Sequence, residues 1–200
     1  RVAASDSFDN LAGIRVENSD HFRIEDSSFY RNSTGIALVS VPGRAKARTE
    51  YGKLLYNRVQ DNSRPSTADP GTVDAAMIPG VGLYVAAADH IEAAYNRFDR
   101  NATYAGITVN VMNSGLPDTD GLAADSTTDH LYVHHNRYAD NGTEASSEFQ
   151  ERFPDQPAGD LYWDATGERN QWQETGEFRT VPEKLVQQQG GAHTNVIHFV

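Results

Sequence analysis

A short grammar recurs four times along this chain: a glycine, two apolar residues spaced two apart, a turn, a second apolar pair, and a closing asparagine. Gly13-Ile14-Arg15-Val16 leads to Asn32, and Gly35-Ile36-Ala37-Leu38 leads to Asn62. Gly82-Leu83-Tyr84-Val85 leads to Asn101, and Gly106-Ile107-Thr108-Val109 leads to Asn141. Within the units, His21-Phe22-x-Ile24 matches His90-Ile91-x-Ala93 and His130-Leu131-x-Val133. Ser27-x-Phe29, Asn57-x-Val59, Asn96-x-Phe98 and Asn136-x-Tyr138 superpose in turn. The irregular unit is the second, where Gly52 falls on the apolar position held by Ile91.

Apolar residues at period 2 are short strands that turn alternate side chains inward. Each strand is too short for a hairpin sheet, and the interruptions carry Gly, Asn, Ser and Asp, which tolerate turn geometry. Three such strands in roughly 20–25 residues make one coil of a solenoid, and coils stack in parallel at about 4.8 Å. An antiparallel sandwich would not keep an asparagine and an aromatic at fixed offsets. The spacing therefore predicts an all-β chain, a right-handed parallel β-helix of about four to five coils, with the recurrent asparagines stacked as amide ladders. The inward positions should be Ile14, Val16, Phe22, Ile24, Phe29, Ile36, Leu38, Val59, Leu83, Val85, Ile91, Phe98, Ile107, Val109, Leu131, Val133 and Tyr138.

At these residues the chain resembles the parallel β-helix repeat of carbohydrate-acting and cell-surface proteins. Gly13-Ile-Arg-Val-Glu-Asn-Ser19, Gly80-Val-Gly-Leu-Tyr-Val85 and Asp160-Leu-Tyr-Trp-Asp164 are similar to an uncharacterised exported bacterial family, whose members often sit beside a cytochrome-c-like protein. The resemblance implies export to the periplasm, cell surface or medium, and it brings no catalytic residues to transfer.

Residues 1–178 form the coils on this reading. Residues 179–200 form a tail, with a linker at Gln187-Gln188-Gln189-Gly190-Gly191 and a capping strand at Val196-Ile197-x-Phe199-Val200. Asn10-Leu11-Ala12-Gly13 matches Asn32-Ser33-Thr34-Gly35, so the chain reads as a fragment of a longer helix. Further coils or a protein partner would then cover the strands around Ile14–Val16 and Phe22–Ile24.

Composition excludes several function classes. Lys+Arg 17 against Asp+Glu 28 gives a net charge of −11, the wrong sign for a general nucleic-acid binder. The absence of cysteine excludes disulfides and thiolate metal sites. No stretch approaches the roughly 20 apolar residues of a membrane span.

Candidate chemistry lies in the columns that stacking creates. Arg58, Arg97 and Arg137 share one register, and Tyr56, Tyr95 and His135 share another. Guanidinium groups beside aromatic rings suit an acidic polysaccharide, because they bind carboxylates in a forked geometry. Asp26, Asp61, Asp99 and Asp140 would instead neutralise the arginines if the column were purely structural. Insertions at 39–52, 63–79, 113–129 and 143–159 would wall a groove floored by Glu92, Tyr95, Arg97 and Asp99. Asp118, Asp120, Asp125 and Asp129 crowd one segment and form a candidate Ca²⁺ site, although the pattern lacks the rest of an EF-hand loop. His21, His90 and His130 read as turn formers, and His134-His135 as a candidate ligand pair or proton carrier. The glycosylation patterns at Asn32, Asn101 and Asn141 coincide with the repeat asparagine and should face inward.

Two functional readings stay open. One is an exported binding or interaction module, for acidic polysaccharide or a cell-surface partner. The other is a polysaccharide lyase or uronate epimerase, in which Arg97 neutralises the carboxylate and Tyr95 or His135 serves as base or acid. A purely structural component of a larger assembly is the third class.

Overall fold

The computed structural model describes residues 1–114, 125–181 and 185. Among these residues the strands form three sheets, and every neighbouring pair is parallel. The first sheet stacks β1 (Val2–Ala3), β4 (Asp20–Glu25), β7 (Thr49–Leu55), β10 (Ala88–Ala94), β13 (Tyr132–His134) and β16 (Gln171–Gln173). The second stacks β2 (Asp6–Phe8), β5 (Ser28–Tyr30), β8 (Arg58–Gln60), β11 (Arg97–Asp99) and β14 (Arg137–Ala139). The third stacks β3 (Ala12–Glu17), β6 (Thr34–Val39), β9 (Val81–Ala86), β12 (Tyr104–Val109), β15 (Gly159–Trp163) and β17 (Thr180–Val181). Strands that follow one another in sequence go to different sheets, so each of the first five circuits adds one strand to each sheet, and the last adds β16 and β17 to the first and third. That is a parallel β-helix. β1 covers only the end of β4, with Val2 opposite Ile24 and Ala3 opposite Glu25, so Phe22 stays at the sheet edge as the repeat implied while Ile24 does not; β3 is an edge along its length.

The coil interior is a single apolar column that includes Ile24, Phe29, Ile36, Leu38, Val59, Leu83, Val85, Ile91, Phe98, Leu131 and Val133, with Ile14, Val16, Phe22 and Tyr138 partly buried against it. Gly52 fits this column because Phe22 takes its space. A Cβ on Gly52 would lie 2.1 Å from the tip of the Phe22 ring, so one large and one absent side chain share a layer.

The fourth repeat unit departs from the expected register. β12 pairs with β9 so that Gly106 faces Leu83 and Ile107 faces Tyr84, which puts Ala105 where earlier coils have Gly35 and Gly82. A slip of one residue turns every side chain to the opposite face. Ile107 and Val109 therefore leave the interior and join a second apolar cluster outside the coil. Gly106 and Thr108 replace them, leaving a void of about 20 Å³ bordered by Leu83, Leu131, Leu161 and Trp172.

The corners are built from a residue pair that the repeat only half revealed. The first member adopts a left-handed backbone, as at Arg31, Tyr56, Asp61, Tyr95, Arg100, His135 and Asp140. The second is the repeat asparagine, which turns inward and is buried. Asn57, Asn96 and Asn136 form one ladder, with Nδ2 to Oδ1 distances of 3.0 Å at each step. Asn32, Asn62, Asn101 and Asn141 form another, at 3.1, 2.8 and 2.9 Å. The three glycosylation patterns thus sit on fully buried amides, as expected.

The long inserts leave the coil after β6, β8, β12 and β14. They leave at the margins of the third sheet, and among the described residues those after β8 and β14 cover its outer face. Helix α1 (Val73–Ala76) and the following Met77-Ile78, with Phe149 of helix α2 (Ser147–Arg152), pack on Ala37, Tyr84, Ala86, Ile107 and Val109. The expected groove is therefore displaced. Its walls flank the third sheet, whereas Glu92, Tyr95, Arg97 and Asp99 lie on the first and second sheets and the corner between them. No helix among the described residues is long and apolar enough to cross a membrane.

The slipped register makes a direct prediction. A Cβ on Gly106 would meet Leu161 Cδ2 at 3.3 Å, a movable group beside a void. Gly106→Ala should raise stability by about 0.5–1 kcal/mol through reduced chain entropy and added packing. Gly35→Ala should destabilise, because its Cβ would lie 2.5 Å from the Gly82 carbonyl oxygen. Denaturant unfolding of both variants checks this, and a lower midpoint for Gly106→Ala would contradict the register of β12.

Candidate functional site

The corner between the first and second sheets gathers all the aromatic and arginine positions that the repeat singled out. Tyr56, Tyr95 and His135 occupy its left-handed position, so their side chains leave the coil while the following asparagines enter it. Coil stacking then sets the rings one above another. Tyr56 and Tyr95 lie 5.2 Å apart at 12°, and Tyr95 and His135 lie 5.3 Å apart at 28°. Tyr56 is 55% exposed and Tyr95 48%, unusually high for large rings that also stack on one another.

Two residues further on, Arg58, Arg97 and Arg137 face one another across β8, β11 and β14, and all three are exposed. Arg97 is held by Asp99 at 3.0 Å, and Asp99 also binds Arg100 at 2.8 Å. Asp61 turns to Arg100 as well, with contacts of 2.7 and 2.9 Å. Among the described residues no carboxylate forms an ion pair with Arg58 or Arg137. Neutralisation by the flanking aspartates, the structural expectation for this column, holds for Arg97 alone.

Beneath Tyr95, a chain of charged groups runs from the first sheet to the corner. Lys53, Glu92 and Tyr132 are partners on β7, β10 and β13. Lys53 Nζ lies 2.8 Å from Glu92 Oε2, and His134 Nε2 lies 3.2 Å from Glu92 Oε1. His134 Nδ1 in turn faces His135 Nδ1 at 2.8 Å. The Tyr132 ring stacks on His134 at 4.1 Å, and Tyr95 meets it edge-on at 5.8 Å. The hydrogen bond from His134, together with Lys53, overcomes burial and holds the Glu92 carboxyl down at about 2. An ionised Glu92 accepts from His134 Nε2–H, which leaves His134 Nδ1 to accept a hydrogen bond from His135 Nδ1–H. The arrangement couples a half-buried carboxylate to an exposed imidazole. Glu92, Tyr95, Arg97 and His135 were legible as candidates. Lys53 was missed, although the alignment of Gly52 with Ile91 already placed it beside Glu92.

The candidate Ca²⁺ site is only partly within reach, because Asp118 and Asp120 lie outside the described residues. Asp125 and Asp129 do converge, with Asp89, to oxygen separations within 4.8 Å. Arg48 enters this group, 2.5 Å from Asp89 Oδ2 and 3.2 Å from Asp125 Oδ1, and donates to the Thr127 carbonyl at 3.0 Å. Burial pushes the Asp89 carboxyl up, and Arg48 opposes that shift. Asp129 accepts from the Glu168 amide at 2.6 Å and donates its own amide to Asp89 at 2.9 Å. A guanidinium already supplies the positive charge here and ties the inserts after β6 and β12 together. His21, Tyr51, His90 and His130 stack at 5.0, 4.7 and 4.3 Å in left-handed turn positions, in keeping with their reading as turn formers.

Comparison with protein-family models, curated proteins and solved structures finds no match to this chain. The functional reading therefore rests on the corner itself.

The depressed Glu92 carboxyl has a defined consequence for acid stability. Its contribution is complete above the ordinary carboxyl value of 4.5 and is lost as pH falls from there toward about 2. Glu92→Gln should flatten the fall of the thermal midpoint across that window relative to the parent chain. Superimposable acid profiles for the two proteins would show that the Lys53–Glu92–His134 contacts do not form in solution.

Proposed function

We propose that this chain is an exported binding module whose ligand is an acidic polysaccharide, held along the corner between the first and second sheets. The observation that carries the reading is the stacked Tyr56–Tyr95–His135 column beside Arg58 and Arg137, two guanidinium groups with no carboxylate partner among the described residues. Exposed rings offer flat apolar faces to sugar rings, and the arginines offer paired N–H donors to uronate carboxylates. Both columns repeat at the coil spacing of about 4.8 Å, so one set of contacts extends along a polymer. The net charge of −11 opposes long-range attraction of a polyanion. Recognition would then depend on contact geometry, and salt would weaken it only moderately.

Titration calorimetry with oligogalacturonate and oligomannuronate, against neutral oligosaccharides of equal length, tests this. Uronate binding should fall about tenfold or more in Arg58→Ala/Arg137→Ala, the loss expected for charge-assisted hydrogen bonds. Tyr95→Ala should weaken it as well. Absence of uronate binding, or binding indifferent to both variants, would reject the site.

One observation favours a second reading, a uronate lyase or epimerase. The Lys53–Glu92–His134–His135 chain ends at an exposed imidazole beside Tyr95 and near Arg97. His135 would take the C5 proton while Arg97 faces the carboxylate. In a lyase the C5 electron pair then forms the new double bond as the C4–O bond breaks, and Tyr95 protonates the departing oxygen. Unsaturated ends or inverted uronate centres that appear with the parent chain, with or without Ca²⁺, and vanish in His135→Ala would establish that reading. Neither binding nor turnover would leave a structural role in a larger assembly.

A further inference from the structure

Strand alternation puts two residues of β8, β11 and β14 on the outer face of the second sheet, the arginine and the residue two positions on. The second residue is Gln60 in β8, Asp99 in β11 and Ala139 in β14, and these three are register partners. Of the three arginines, Arg97 alone therefore has a carboxylate at this neighbouring position.

Asp99 is buried, and its carboxylate lies 3.0 Å from Arg97 and 2.8 Å from Arg100. Asp61 contacts Arg100 at 2.7 Å, so two guanidinium groups and two carboxylates cancel around β11. Arg58 and Arg137 are exposed and have no carboxylate partner among the described residues. Their strands lie two coils apart, about 9.6 Å. Like charges repel, which opposes both side chains leaning over Arg97 toward each other. Along the coil axis the face thus reads positive, neutral, positive. Beside each position stands one exposed ring, Tyr56, Tyr95 or His135.

We propose, resting on the polysaccharide reading of this corner, that its ligand carries a uronate at every second residue with a neutral sugar between, and that Asp99 sets this choice. A pyranose in an extended chain advances about as far as one coil. Three successive sugars then span three coils, with carboxylates at Arg58 and Arg137 and an uncharged residue at Tyr95. A carboxylate on the middle sugar would meet a guanidinium already engaged by Asp99, and would lose water without gaining a charge partner. Charge density alone would rank ligands the other way, since a polymer of uronate only brings twice the carboxylates in the same length.

Calorimetry on the full chain separates the two rankings. The probes are an alternating galacturonate–rhamnose hexasaccharide, a hyaluronan hexasaccharide and hexagalacturonate. Both alternating probes should bind roughly five- to tenfold tighter than hexagalacturonate, the loss expected for one unpaired carboxylate. Asp99→Asn should free Arg97 and raise hexagalacturonate affinity about tenfold, with the alternating probes changed less than about twofold. Ala139→Asp puts the same carboxylate beside Arg137 and should weaken the alternating probes about tenfold. That variant decides the matter if Asp99→Asn loses its cooperative thermal transition. Hexagalacturonate binding the parent chain as tightly as the alternating probes would overturn the inference and leave the polysaccharide reading in place. So would an unchanged preference in folded Asp99→Asn, or alternating probes indifferent to Ala139→Asp. Binding of none of the three probes by the parent chain would reject the polysaccharide reading itself, and this inference with it.

Discussion

The coil depends on asparagine side-chain amides that make three or four hydrogen bonds each at the corners. Asn96 is the clearest case. Its Oδ1 accepts from the Asn57 backbone N–H at 2.9 Å and from Asn57 Nδ2 at 3.0 Å. Its Nδ2 donates to the Leu54 carbonyl at 2.9 Å and to Asn136 Oδ1 at 3.0 Å. A chain that turns sharply next to an apolar interior leaves backbone groups that neither strand pairing nor water can reach, and each would be costly if unmet. One amide per corner meets them and ties each coil to the next. The ladders end on carboxylates, Glu174 accepting from Asn136 at 2.7 Å and Asp160 accepting from Asn141 at 3.0 Å.

The outer surface follows from that requirement. For the asparagine to turn inward, the residue before it takes a left-handed backbone, which costs a non-glycine residue roughly 1–2 kcal/mol. Its side chain then projects outward, at a spacing that the ladder holds constant. At one corner these positions carry Asp9 and Arg31, then Asp61 and Arg100, which pair with each other along the column. At the next corner they carry Tyr56, Tyr95 and His135, which stack and stay open to solvent. The same backbone thus produces a self-neutralised edge and a ligand-facing one, and residue type alone separates them. The third sheet lacks this freedom because inserts cover its outer face.

The sequence made the solenoid, the interior column and both ladders legible, because period-2 apolar pairs and fixed asparagine offsets are local signals. The register of β12 was hidden. Gly106-Ile107-Thr108-Val109 imitates Gly82-Leu83-Tyr84-Val85, and only pairing with β9 shows that Ala105 holds the glycine position. The direction of the inserts was hidden for a related reason, since alternation along the chain does not say which sheet a loop folds over. At the candidate site, register placed Tyr56, Arg58, Tyr95, Arg97, His135 and Arg137 correctly in columns. It could not show that Asp61 and Asp99 would turn to Arg100, or that His134 would bridge Glu92 to His135. Those contacts depend on side-chain direction within the corner, which no spacing rule encodes.

Hydrogen exchange of the asparagine side-chain amides, followed by NMR, tests the ladders most directly. If the amides hold the coils together, the Nδ2 protons of Asn57, Asn62, Asn96 and Asn101 should exchange only on global unfolding. Their protection should then fall in step with that of the β9 and β10 backbone amides as denaturant is added. Exchange of these side chains at the rate of a free amide, while the strand amides stay protected, would show that the coils hold their register without the ladders and would contradict the account.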